Sequence, residues 1–86
     1  MFWYRISVWY YMDLEPFYEY KLFSCLPDAE AWAEAENRNW SGGTVSISGP
    51  ANQREIVEFI EKNNPQLDED TRSKVYNPKY YLSNGD

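Results

Sequence analysis

The side chains best placed for acid–base chemistry are two carboxylate pairs, Glu58 with Glu61 about one helical turn apart and Asp68 with Asp70 in the run DED. A glycoside hydrolase works with such a pair: one carboxyl protonates the leaving oxygen and the other carboxylate acts as base or nucleophile. Exposed tryptophans could stack on the sugar. Nothing around either pair suggests a cleft able to hold a substrate, so a solvated helix face and a hydrophilic loop account for them more simply, and a carbohydrate-binding or carbohydrate-active protein is the remote alternative. The DED run could attract a divalent cation only weakly, because it lacks the glycine and the distal glutamate of a calcium loop. The chain has no histidine, which removes the commonest general base, the usual metal ligand and every Ser-His or Cys-His nucleophile. Cys25, the single cysteine, has no partner base and reads as an inert, partly buried thiol. It cannot close an internal disulfide, which favours a reducing, cytoplasmic setting. Ser41-Gly42-Gly43 and Ser48-Gly49-Pro50 lack phosphate-loop spacing and read as a turn and a helix start. The expectation is a protein that is not an enzyme, with no catalytic residue, no metal and no cofactor.

The elements that must carry any site follow from periodicity. A chain of 86 residues buries only about 60 to 65 % of its unfolded surface, so its core must be dense. Four tryptophans, eight tyrosines and four phenylalanines supply that density at low torsional cost. Residues 2–12 alternate strictly. Phe2, Tyr4, Ile6, Val8, Tyr10 and Met12 make one unbroken apolar face, and Trp3, Arg5, Ser7, Trp9 and Tyr11 make the other, the period of a strand. Residues 18–25 alternate again, Tyr18, Tyr20 and Leu22 against Glu19, Lys21 and Phe23. Matching apolar face to apolar face predicts Met12 opposite Tyr18, Tyr10 opposite Tyr20 and Val8 opposite Leu22. Trp9 then faces Lys21, and Tyr11 faces Glu19, on the outer side. Setting Met12 opposite Phe17 instead would turn Glu19 and Lys21 toward the core, at several kcal/mol for each unpaired charge.

Residues 27–38 carry good helix formers behind a proline and acids, with Ala29, Trp32 and Ala33 as the apolar stripe and Asp28, Glu30 and Glu34 facing out. Residues 44–48 read as a short strand. A second helix starts at Gly49-Pro50 or at the capping box Asn52-Gln53-Arg54-Glu55, buries Ile56, Val57, Phe59 and Ile60, and stops at Asn63-Asn64-Pro65. The order ββαβα predicts an α+β fold: a three-stranded antiparallel sheet of order 2-1-3 with both helices packed on the Phe2–Tyr10 face. Residues 1–65 form the expected single domain. Residues 66–86 form an irregular tail in which Pro78 allows at most an edge strand.

Two surfaces are candidates for a partner. The outer sheet face offers Trp3, Trp9, Tyr11 and Phe23 with Arg5, Lys21 and Glu19 around them, the aromatic-plus-arginine chemistry of interface centres. The tail residues Tyr76, Tyr80, Tyr81 and Leu82 could instead fold back over it as a second small core. The helix layer would align Asp28, Glu30 and Glu34 with Glu55, Glu58 and Glu61 into an acidic ridge. With eight basic and fourteen acidic residues and a net charge of −6, the chain repels nucleic acid, which carries a charge every ~1.7 Å of duplex axis. It suits another protein with a basic surface. The aromatic amino end lacks a basic leader and is too short to span a bilayer, so no membrane partner is expected. In size, acidity and missing catalytic groups the chain is similar in kind to the small inhibitors, anti-CRISPR proteins among them, that phages and mobile elements direct at host nucleic-acid machinery. It is a likeness of character, carried by no motif, and it implies a non-enzymatic inhibitor that mimics nucleic-acid charge. The alternative is a small accessory subunit, or a homodimer joined through the aromatic sheet face.

Overall fold

A computed structural model describes residues 1–82 of the chain. Three strands, β1 (Phe2–Tyr10), β2 (Phe17–Phe23) and β3 (Gly43–Pro50), form an antiparallel sheet of order β2-β1-β3. Three helices accompany them, α1 (Leu26–Asn39), α2 (Gln53–Asn63) and α3 (Glu69–Tyr76), followed by a 3-10 turn at Pro78–Tyr80. The α+β class, the strand order and the central place of the aromatic strand agree with the sequence reading.

The register does not. β1 pairs β2 with Tyr4 opposite Lys21, Ile6 opposite Glu19 and Val8 opposite Phe17. Glu19 and Lys21 therefore share a face with Tyr4, Ile6 and Val8, the orientation that burial cost argued against. The cost is avoided because β2 is an edge strand: Glu19 and Lys21 stay exposed, and the Lys21 ammonium rides 5.2 Å above the Trp32 ring of α1. Strand β1 ends at Tyr10, so Met12 falls in the connecting turn and is 93 % exposed instead of core.

The register makes sense once both faces are seen to be covered. On one face Ile6, Val8 and Val45 meet Ala33 of α1, with Phe23, Trp32, Trp40 and Ile47 packed around them. On the other, Trp3 and Ala51 meet Ile56 of α2, Val75 of α3 and Tyr81, with Tyr20 and Leu22 beside them. The helices thus straddle the sheet, α1 on one side and α2 on the other, and the expected stacking of both on the Phe2–Tyr10 face is corrected. Tyr18, Tyr20 and Leu22 belong on the α2 side, which is why β2 turns its charges the other way. Residues 69–76 are helical, not an edge strand, and Tyr80 and Tyr81 return to the second core. The end of the expected tail, 83–86, lies outside the described residues.

Local chemistry sets the boundaries. Helix α2 begins at the capping box: Asn52 Oδ1 accepts from the Glu55 amide at 2.8 Å and Glu55 Oε1 accepts from the Asn52 amide at 3.0 Å. It ends with Asn64 in the left-handed conformation, φ 46°. Strand β3 bulges where β1 passes from Arg5 to Ile6, and Gly49 there has φ +123°, open to glycine at little cost. Gly43 serves a different need: a Cβ at that position would collide with the Trp9 carbonyl oxygen and the Trp40 ring.

Candidate functional site

The residues expected to dock a partner divide into those the fold consumes and those it leaves free. Trp3 is consumed: it is 5 % exposed, and its indole Nε1–H donates to the Lys74 carbonyl of α3 at 3.0 Å. Phe23 packs against the α1-side core and tilts onto Trp32 at 5.6 Å. Arg5 and Glu55 form a half-buried pair at 3.0 Å. Arg5 also donates to the Ser48 carbonyl at 3.2 Å and lies 5.8 Å over the Tyr18 ring, while Glu55 Oε2 accepts the Tyr20 hydroxyl at 3.2 Å. Burial, and then the Glu55 charge, push the Tyr20 phenol up to about 12. Both oxygens of the Glu55 carboxylate are committed, Oε2 to holding α2 on the sheet and Oε1 to the capping box.

The acidic helix residues do not form one ridge. Asp28, Glu30 and Glu34 lie on α1, and Glu58 and Glu61 on α2, on opposite sides of the sheet. All five are exposed. Glu34 pairs with Arg38 at 3.4 Å and Glu58 with Arg54 at 3.3 Å, surface pairs of small energetic weight; Asp28 accepts from the Ser24 hydroxyl. The Asp68–Asp70 pair is likewise occupied. Asp68 caps α3, accepting from the Thr71 amide at 2.7 Å, which holds its carboxyl below the ordinary value. Asp70 accepts from Lys74 at 2.9 Å. Among the described residues, no group of three His, Cys, Asp or Glu side chains could hold a metal ion. Cys25 is exposed, contrary to the partly buried reading. No helix among the described residues is long and apolar enough to cross a membrane.

What remains free is the end of the β1–β2 hairpin. Trp9 is 43 % exposed while its neighbour Val8 is enclosed, and Tyr11 is 65 % exposed. Around them the chain also exposes Tyr10, Met12, Leu14 and Phe17, with Leu14 at 95 %. The patch is partly preorganised: Tyr10 stacks on Phe17 at 5.4 Å and meets Trp40 edge-on at 5.1 Å. Its charged neighbours, Asp13, Glu15 and Glu19, are acidic and exposed, and no lysine or arginine occurs from Ile6 to Tyr20. Sequence reasoning missed Tyr10, Met12, Leu14 and Phe17 because it placed the first and second on the core face and treated the connection only as a linker. The available signal was composition, since a solvent loop seldom spends Met and Leu between acids. Beside this end, Phe17 to Tyr20 of β2 and Glu55, Glu58, Phe59, Lys62 and Asn63 of α2 line an open groove of about 660 Å³.

The tip presents rings and aliphatic side chains beside carboxylates, the chemistry of a contact surface. Compared with protein-family models, curated proteins and solved structures, the chain matches none.

Proposed function

We propose that this chain is a non-enzymatic interaction module that engages a basic protein surface through the exposed end of the β1–β2 hairpin. The observation that carries the reading is the combination there of an exposed aromatic and aliphatic patch, Trp9, Tyr11, Met12 and Leu14, with the exposed acids Asp13, Glu15 and Glu19 of the same hairpin. Large rings and aliphatic anchors supply interface energy once desolvated, and acids around them favour a lysine- or arginine-rich partner while speeding encounter. A net charge of −6, with Glu30, Glu34, Glu58 and Glu61 exposed on both sides of the sheet, extends the same attraction over the molecule. Such a module acts by occupying the partner's surface, and so as an inhibitor of whatever that basic surface otherwise holds, nucleic acid included. A reducing compartment such as the cytoplasm suits an exposed, single Cys25.

The test compares the native chain with Tyr11→Ser/Leu14→Ser in affinity capture from the lysate of the source cells, at low and high salt. The expected result is a basic protein retained by the native chain, released steeply as salt rises, and recovered at least tenfold less by the variant. Equal recovery by both chains, or salt-independent capture, would overturn the reading.

A further inference from the structure

The two margins of the sheet are finished differently. Along β1 the odd-numbered main-chain groups face β3: the Trp3 carbonyl accepts from Ala51 N–H and the Tyr11 N–H donates to the Gly42 carbonyl. Alternation therefore turns the even ones toward β2. Given the pairing of Tyr4 with Lys21 and Ile6 with Glu19, the N–H and C=O groups of Tyr18, Tyr20 and Leu22 point away from the sheet. By the same alternation Val45 points outward from β3, and there the side chain of Asn37 on α1 takes both of its groups, donating to the Val45 carbonyl at 2.8 Å and accepting from its amide at 2.7 Å. Strand β3 is further broken by the bulge at Gly49 and closed by Pro50. Strand β2 has neither proline nor bulge, and among the described residues no group bonds to its outward main chain. A regular, unsealed edge is a template for another strand.

We propose that β2 pairs antiparallel with β2 of a second copy of this chain, about a two-fold axis through Tyr20. The sequence FYEYKLF is self-complementary about that axis: Phe17 lies opposite Phe23, Tyr18 opposite Leu22, and Glu19 opposite Lys21, so each charge meets its opposite twice over. Moving the axis to Glu19 or to Lys21 would set like charges face to face, which fixes the register. Tyr18, Tyr20 and Leu22, whose main-chain groups point outward, are the residues that would exchange hydrogen bonds. The open groove beside β2, lined by Tyr18, Tyr20 and Phe59, lies on the Tyr18–Tyr20–Leu22 side of the joined sheet and faces its counterpart across the two-fold axis. The Trp9–Leu14 turn stays outside the joint, which takes in only Phe17 and Glu19 of the hairpin-end surface.

The experiment uses the full chain alone, in sedimentation equilibrium. A monomer–dimer equilibrium is expected, with the dissociation constant raised about tenfold by Glu19→Lys and by Lys21→Glu, and returned to the native value by the double variant. The two single variants, mixed in equal amounts, are expected to form a heterodimer visible by native mass spectrometry, since one chain then carries lysine at both positions and the other glutamate at both, and every charge across the joint meets its opposite. Tyr18→Pro deletes an outward N–H that makes no bond within the sheet, and is expected to abolish dimers while leaving the far-ultraviolet dichroism unchanged. A native chain that stays monomeric across the concentration range, or single variants that self-associate as well as the native chain, would overturn the proposal.

Discussion

Tyr20 shows how one side chain ties the two layers of this protein together. Its ring meets Phe59 edge-on at 5.2 Å and its hydroxyl donates to Glu55, so burial and a neighbouring carboxylate both oppose its ionisation and raise it from 10.0 to about 12. Tyr81, closed in against Val75, is pushed to about 12 by burial and then by Tyr76. Phenols whose folded value lies above the unfolded one favour the fold fully below pH 10 and lose that contribution as pH rises toward 12. An alkaline titration followed by ultraviolet absorbance should therefore show Tyr20 and Tyr81 ionising near pH 12, with the thermal midpoint falling over the same interval. Tyr20→Phe should flatten part of that fall. At this scale the sequence was informative where a residue's neighbours are local: the Asn52–Glu55 capping box and the exposure of Trp9 beside an enclosed Val8 could both be read from the chain. The burial of Trp3 was legible only as one of two readings: Tyr80 and Tyr81 do fold back into a second core with it, whereas its bond to the Lys74 carbonyl of α3 could not be read, because that partner is far away in sequence.

Helix α1 does more than cover a face. Its Asn37 amide stands in for a missing strand at Val45, satisfying a donor and an acceptor that would otherwise lie unpaired at a half-dry margin. Asn37→Ala should cost about 1–3 kcal/mol, read as a lower denaturant midpoint at unchanged slope. Asn37→Asp, which keeps the acceptor and loses the donor, should fall between the two. Alternation made the strands legible because a period of two is written into the chain itself. The pairing of β1 with β2 was not legible, because it depends on how many faces are buried. With one buried face, Glu19 and Lys21 must point away from Val8; with α2 on the far side, Tyr20 and Leu22 have the stronger claim to shelter, and the charges go to an open margin where Trp32 accepts the ammonium. Helix α3 escaped notice for a related reason: its one buried residue is Val75, too little to write a stripe.

Taken whole, the molecule is a sheet held between a helix on one side and two on the other, and its second core is closed by the residues that follow α2. Val75, 1 % exposed, is the point at which that closure can be broken. Val75→Asp places a charge against Trp3 and Ile56, and should destabilise the whole protein by about 3 kcal/mol or more. Tryptophan emission should shift to the red and unfold in step with the helical dichroism; separate transitions would mean that α3 docks on an already folded sheet. The same closure explains why the candidate site moved. On the aromatic outer face expected to await a partner, Trp3 is spent on α2, α3 and Tyr81, while Trp9 and Tyr11 stay exposed at the hairpin end.

The side-chain clasp of Asn37 on Val45 also sets a limit on growth. A sheet with two bare margins can add chains without end, as fibrils do, whereas one with a single bare margin is used up by its first addition. With Val45 clasped and the strand bulged at Gly49, β3 is a poorer template than β2, and a ribbon built by strand addition is expected to stop at a pair.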